Sequence, residues 1–450
     1  MTRKMTRRTF GQIGTATTLA FGLSALETET SKARILGAND RVRCAFVGVA
    51  NRGRQLIDAF SKSPDMEMAA LCDVDSAALN QAWEKAGQKP VKEKDFRNLL
   101  GREDIDAFVL ATPDHWHAWQ TVEACKAGKD VYVEKPLATT IHEGRMMVEA
   151  ARKYERIVQV GIHRRSGPIY QKIASMGVDN KIGRVTVARS FHLSNMYPNG
   201  IGHAKPTTPP ENLDWDLWLG PRDQAYQENI APYKFRWWID YSSQVANNGV
   251  HFLDVIRWGC GEIAPKSVCA MGGKFAVDDD RTIPDTMQVC FQFASGRLVL
   301  FSHFEANGNP MMATNEHFNP LGYLEFRGTN GTMYVYDDHY TIRPERPGQF
   351  QEKGKRMEDE THNVSEEPGG NLDITAAHAA NFLACMKSRQ TPNGDVEEGH
   401  RSTSMSLMAN ISLAVGRRLE WDAEKEKFIN DEEANKLLKY EYRAPWKLEI

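Results

Sequence analysis

A glycine-rich turn, Gly48-Val49-Ala50-Asn51-Arg52-Gly53, joins an apolar run to a helical pattern and constrains the fold more than any other feature of the chain. Its first glycine permits a tight turn, and its last lets the following helix approach the strand closely. Phosphate oxygens can then meet backbone N–H groups at the start of the helix. Ala50 holds the middle position, where close backbone approach is needed and a methyl group is tolerable but not free. Alone this spacing is weak. It gains force from the alternation around it, with strands expected at 42–49, 66–72, 106–111, 130–133 and 157–160. Helical patterns lie between them at 54–63, 76–86, 115–127 and 141–154. Such alternation predicts right-handed βαβ units and a parallel sheet, hence an α/β, Rossmann-type dinucleotide-binding domain over 39–160.

Ligands of such a sheet bind outside the carboxyl ends of its strands, and the polar residues of this chain gather there. Asp73 closes the second strand about 20 residues beyond Gly53, where an acid accepts hydrogen bonds from ribose hydroxyls and repels a 2′-phosphate. NAD is therefore expected over NADP, with Arg52 and Arg54 able to soften the preference. Thr112-Pro113 follows the next strand and would pass under the nicotinamide half of the cofactor, flanked by His115 and His117. Those two histidines lack an acidic or cysteine partner at metal-site spacing, so no metal site is read. Glu134-Lys135-Pro136 ends the strand after that. A lysine there can reach a substrate hydroxyl and the nicotinamide ribose together, which points to hydride chemistry.

Beyond Gly161 the texture changes. A helix at 168–176, a long strand at 184–192 and alternating segments at 286–293, 297–304, 322–327 and 332–336 predict an α+β domain over 161–450. Its sheet should be large and mostly antiparallel, suited to substrate contact and to a symmetric homo-oligomer. Polar loops are expected at 279–285 and 346–370, and helices return at 374–388 and 397–417. Within this half, His251 follows Asn247 by one helical turn, so both can face one side. A histidine facing the crevice is a natural base for a hydroxyl proton. His163 and Arg164, just past the last parallel strand, join the substrate-side candidates. Trp215, Trp218, Tyr233, Trp237, Trp238 and Tyr241 cluster upstream, and Trp237 or Trp238 could stack on a sugar ring.

The first 30 residues read as a leader rather than as structure. Thr6-Arg7-Arg8-Thr9-Phe10 is a twin-arginine pattern before a weakly apolar stretch at 13–26, too short for a membrane span. Twin-arginine export carries folded proteins, which suits a protein that acquires a nucleotide before leaving the cytoplasm. Loss of the first 26 residues would remove four of the 56 basic side chains and none of the 59 acidic ones, leaving the mature chain acidic. No basic stripe suggests nucleic acid. The seven cysteines form no Cys-x-x-Cys pair, and Cys44, Cys72 and Cys290 fall in expected strands as small buried hydrophobes.

From Asn39 to its end the chain resembles the Gfo/Idh/MocA family, named for glucose–fructose oxidoreductase, inositol dehydrogenase and a rhizopine-catabolism protein. The resemblance rests on the glycine-rich turn, Ala111-Thr112-Pro113, Glu134-Lys135-Pro136, the helix bearing His251, the stretch 392–401 and Asn410-Ile411-Ser412-Leu413. It implies Lys135 and His251 as the catalytic pair, acting on a hydroxyl of a sugar or cyclitol with NAD or NADP. Two departures stand out. Asn247 replaces an aspartate that in the family usually partners the histidine, a place from which asparagine can still orient the imidazole, and Ser242-Ser243-Gln244 replaces a glycine-rich turn. Leader-bearing members also resemble NAD-dependent glycosidases, typified by N-acetylgalactosaminidases, in which oxidation is transient. An exported enzyme cannot draw on cytoplasmic NAD, which favours redox-neutral chemistry. A sugar- or nucleotide-binding protein without turnover is the third reading.

Overall fold

The computed structural model describes residues 37, 40–307, 324–351, 354–366 and 373–450, so the leader lies outside the described residues. Val42–Val47 (β1), Met66–Cys72 (β2), Val91–Glu93 (β3), Ala107–Leu110 (β4), Asp130–Val133 (β5) and Val158–Val160 (β6) form one parallel sheet. Its inner strands are apolar on both faces because helices cover both faces. Strand order is β3-β2-β1-β4-β5-β6, so the chain reverses direction of travel between β1 and β4. Register aligns Val47 with Cys72 and with Leu110, and Leu110 with Val133. Gly48, Asp73, Ala111 and Glu134 therefore leave the sheet at one level, beside its topological switch point. The short edge strand β3 carries too few residues to show a sequence pattern.

Helices follow the expected alternation with shifted ends. Asn51–Phe60 (α1) begins three residues earlier than the periodicity suggests. Ser76–Lys85 (α2) is capped by the Asp75 carboxylate, which accepts from the Ala77 and Ala78 N–H groups. Ile141–Lys153 starts with a capping box between Thr140 and Glu143.

The second sheet has ten strands in the order β14-β13-β12-β11-β7-β10-β9-β8-β15-β16. Val185–Leu193 (β7) pairs in parallel with Leu298–Phe304 (β10), and the other pairings are antiparallel. Thr286–Gln292 (β9), Leu324–Gly328 (β11) and Gly331–Val335 (β12) match expected strands. Ser267–Gly273 (β8), His339–Pro344 (β13), Leu419–Asp422 (β15) and Lys427–Phe428 (β16) are additional to the expected set. So is Glu360–Asn363 (β14), which falls inside the stretch expected as a polar loop. Its side chains are mostly polar and it pairs only along β13, so neither alternation nor apolar content marks it.

A sequence boundary at 160 does not bound the first core. The helix Ile374–Ser388 packs back on the parallel sheet, placing Phe382 6.2 Å from the Phe60 ring and 6.0 Å from Tyr132. Ala379, Leu383 and Met386 join the same cluster. Burial of a ring of that size is worth about 1.5–3 kcal/mol. All seven cysteines are free; Cys44 and Cys72 are buried as expected, while Cys290 is only partly so. No helix among the described residues is long and apolar enough to cross a membrane.

Candidate active site

At the carboxyl ends of β1, β2, β4 and β5 opens a cleft of about 480 Å³. Gly48, Ala50, Asn51, Arg52, Asp73, Thr112, Pro113, His117, Glu134 and Lys135 line it from the parallel-sheet side. The turn is built from backbone. Gly48 has φ +78°, and a Cβ there would lie 2.7 Å from the Ala111 carbonyl. A Cβ on Gly53 would sit 1.9 Å from the Gly48 carbonyl oxygen, so the helix reaches the strand only because that atom is missing. No side chain caps α1 and no acid stands in its first turn, leaving its N-terminal N–H groups open to an anion.

Asp73 follows β2, accepting from Val49 N at 2.8 Å and from Asp75 N at 2.9 Å. Burial pushes its pKa up to about 6 against these hydrogen bonds. Neither neighbouring arginine is aimed at it. Arg52 pairs with Glu134 at 2.8 Å, and Arg54 donates to Gln81. The uncapped helix start, the cradle at Gly48 and the acid at Asp73 together fit the pyrophosphate and adenosine ribose of NAD.

Across the cleft stand His163, Asn247, Asn248 and His251. Asn247 lies in a single π-helical turn, Val245–Gly249, that runs into Val250–Gly259, the helix carrying His251. The structure corrects the expected partnership there. Asn247 does not orient His251; its backbone and side-chain oxygens both accept from Lys135 Nζ, at 2.9 and 2.8 Å. Burial lowers the Lys135 pKa to about 8, opposed by Glu134 and Asp114. Burial also holds His251 and His163 well below the usual imidazole range, with the Lys135 charge adding to the effect on both. Their rings lie 4.9 Å apart, and the Nδ1 atoms of both are buried without a hydrogen-bond partner among the described residues.

Other expected site residues go elsewhere. His115 does not line the cleft: it is fully buried between Trp218 and Tyr241 and contacts the Trp218 carbonyl at 2.9 Å. Desolvation holds its pKa near 3, so it is a neutral packing group. His117 reaches the cleft but is clamped between the Pro136 and Thr112 carbonyls, at 2.8 and 3.0 Å. Arg164 packs over Phe252 and Tyr170 and lies 3.6 Å from Asp337, away from the cleft. The Trp237 indole N–H is committed to Glu305, and that of Trp238 to the Asn229 carbonyl. Neither indole lines the cleft, whereas Tyr233 and Phe235 do.

Asp114, Arg236 and Trp446 also line the cleft, and sequence reasoning missed all three. Asp114 is buried against the Ser242 hydroxyl, which gives the departure at 242–244 a structural use. Trp446, near the end of the chain, sits 4.9 Å from both Trp116 and Trp119. No local pattern ties a residue so distant in sequence to this cleft.

Comparison with known proteins agrees with this geometry. The model of the oxidoreductase family with an NAD-binding Rossmann fold, GFO_IDH_MocA, matches residues 42–162. The family's C-terminal alpha/beta domain matches 170–305 and 361–448. A glycosyl hydrolase family 109 protein of Saccharopolyspora erythraea is 36% identical over 127 residues, which is 26% of this chain and 28% of that protein. The WlbA dehydrogenase of Bordetella pertussis, solved with NADH and UDP-GlcNAcA, superposes with TM-score 0.60 at 20% identity, covering 85% of this chain and 99% of that one. A levoglucosan dehydrogenase, solved with NADH and levoglucosan, gives 0.63 at 16% identity over 85% and 99%. With both domain models matched and a cleft that fits the nucleotide, the chain belongs to the Gfo/Idh/MocA family and is an NAD-binding oxidoreductase.

Proposed function

We propose that this enzyme oxidises a hydroxyl group of a sugar, cyclitol or glycoside. The observation that carries this reading is Lys135, partly buried in the cleft, held by two oxygens of Asn247, with its pKa lowered to about 8 beside a neutral His251. Bound NAD supplies the hydride acceptor. Gly48 and the open start of α1 hold its pyrophosphate, and Asp73 its ribose hydroxyls. Lys135 and His251 then share the substrate oxygen. A base works best with a pKa near the operating pH, so Lys135 is better matched to take the proton than His251. The positive charge of oxidised NAD favours the neutral lysine further. His251 positions the hydroxyl, with His163 behind it, and Tyr233 and Phe235 offer rings to the sugar face.

A second reading is an NAD-dependent glycosidase in which oxidation is transient and elimination breaks the glycosidic bond. The name of the Saccharopolyspora relative supports it, although that similarity spans only about a quarter of either protein. Nucleotide released by denaturation should be NAD by mass spectrometry, and free sugars and glycosides should then be screened. Net NADH accumulation supports the dehydrogenase, and sugar release without it supports the glycosidase. Neither outcome, with NAD still bound, sinks both.

The proposal extends to location and assembly. Arg7 and Arg8 support export to the periplasm by the twin-arginine route, with the cofactor already bound, and the broad second sheet suits a homo-oligomer. Replacing both arginines by lysine should retain the precursor in the cytoplasm, folded and carrying nucleotide. Normal export of that variant would overturn the assignment.

A further inference from the structure

Among the described residues, one set of metal-ligating side chains converges: His192, His303 and Glu305, whose ligand atoms lie within 4.8 Å of one another. Topology explains the convergence. His192 on β7 and His303 on β10 are direct partners across a parallel pairing, so both rings leave the sheet on one face, 5.4 Å apart. Glu305 lies two residues beyond His303 and shares that face by alternation. His303 Nε2 is 3.6 Å from one Glu305 oxygen, and His192 Nε2 is 3.8 Å from the other. Ligands around a tetrahedral ion with bonds of about 2.1 Å stand about 3.4 Å apart, so each histidine is within a few tenths of an ångström of that spacing from Glu305.

A second observation points the same way. His303 is 1% exposed, and its Nε2 has no hydrogen-bond partner among the described residues. An orphaned nitrogen so deeply buried costs free energy that an ion would recover. Glu305 Oε2, the oxygen nearer His303, accepts from Arg281 and from the Trp237 indole at 3.0 Å, while Asp279 grips Arg281 at 2.8 Å. Such outer contacts orient a metal-binding carboxylate. Asp279 and Glu305 together outweigh the single charge of Arg281, so the cluster keeps one negative charge to set against a cation. The site adjoins the cleft, because Asn248 lines the cleft and its side chain lies 3.5 Å from His192 Nε2.

We propose that His192, His303 and Glu305 bind one first-row divalent cation of the zinc type in the cleft wall beside Asn248. Two imidazoles and a carboxylate suit such an ion, and three protein ligands leave a position for water or a substrate oxygen. The inference stands independently of the sugar reading, because it is tested by metal content rather than turnover. Protein stripped with chelator should be dialysed against Zn²⁺ or Co²⁺ alone, then analysed for metal and for bound NAD. One ion per chain is expected, with the intense visible absorption of low-symmetry Co²⁺. His303→Ala and Glu305→Gln should weaken binding by about 10²-fold or more while NAD content is retained. His192→Ala, at a partly exposed side chain, gives the same test should a buried variant fail to fold. Absence of stoichiometric binding in the wild type, or binding unchanged in His192→Ala, overturns the proposal.

Discussion

The two walls of the cleft are made differently. The parallel-sheet wall is a backbone device: Gly48 and Gly53 act by lacking a Cβ, and Asp73 holds the turn through main-chain N–H groups. The opposite wall is a side-chain device, in which Asn247, His251 and His163 converge on Lys135 from segments far apart in sequence. A backbone wall recognises what all dinucleotides share. A side-chain wall can be retuned one residue at a time, and Asn247, whose side-chain oxygen holds Lys135 at 2.8 Å, is such a position.

Lys135 puts this division of labour to its most severe test. Lys135→Ala should lower kcat by about 10²–10⁴-fold while NAD stays bound, since acid–base groups contribute in that range. Equal loss of NAD would mean that the lysine serves chiefly to hold the nucleotide. Gly53→Ala should do the reverse. Its new methyl group meets the Gly48 carbonyl, which costs about 3 kcal/mol of stability and should abolish NAD binding. A variant that melts and binds NAD like the wild type would remove the backbone account of that wall.

Smaller effects separate the two walls further. Asp73→Ala should weaken NAD by roughly tenfold to a hundredfold and narrow its advantage over NADP, as expected for a charge-assisted hydrogen bond. Because burial raises the Asp73 pKa to about 6, the ionised acceptor is lost as pH falls below 6. NAD affinity measured by calorimetry should therefore weaken between pH 7 and 5 in the wild type and not in Asp73→Ala. The smallest effect concerns Asn247→Asp. A carboxylate against Lys135 Nζ favours the ammonium, so the lysine pKa should rise by about one unit. With a neutral lysine as base, kcat/KM climbs through about pH 8 in the wild type, and the variant moves that limb to higher pH. A rate that instead falls above pH 8 would return the proton-accepting role to His251.

Much of the nucleotide wall is legible in the amino-acid sequence alone. Alternating strands and helices, a glycine turn after the first strand and an acid after the second are local patterns, and local patterns predict local geometry. Gly48, Asp73, Glu134 and Lys135 accordingly meet in one cleft. Tertiary structure decided what depends on segments far apart in sequence. It turned Asn247 toward Lys135, took His115 and Arg164 away from the cleft, and set Trp237 against Glu305. It also borrowed Phe382 from the far end of the chain for the first core, and paired His192 with His303 across strands about a hundred residues apart. Periodicity reports which face of an element is apolar. Which other element meets that face, and therefore which side chains share a site, follows only from how the sheets pack.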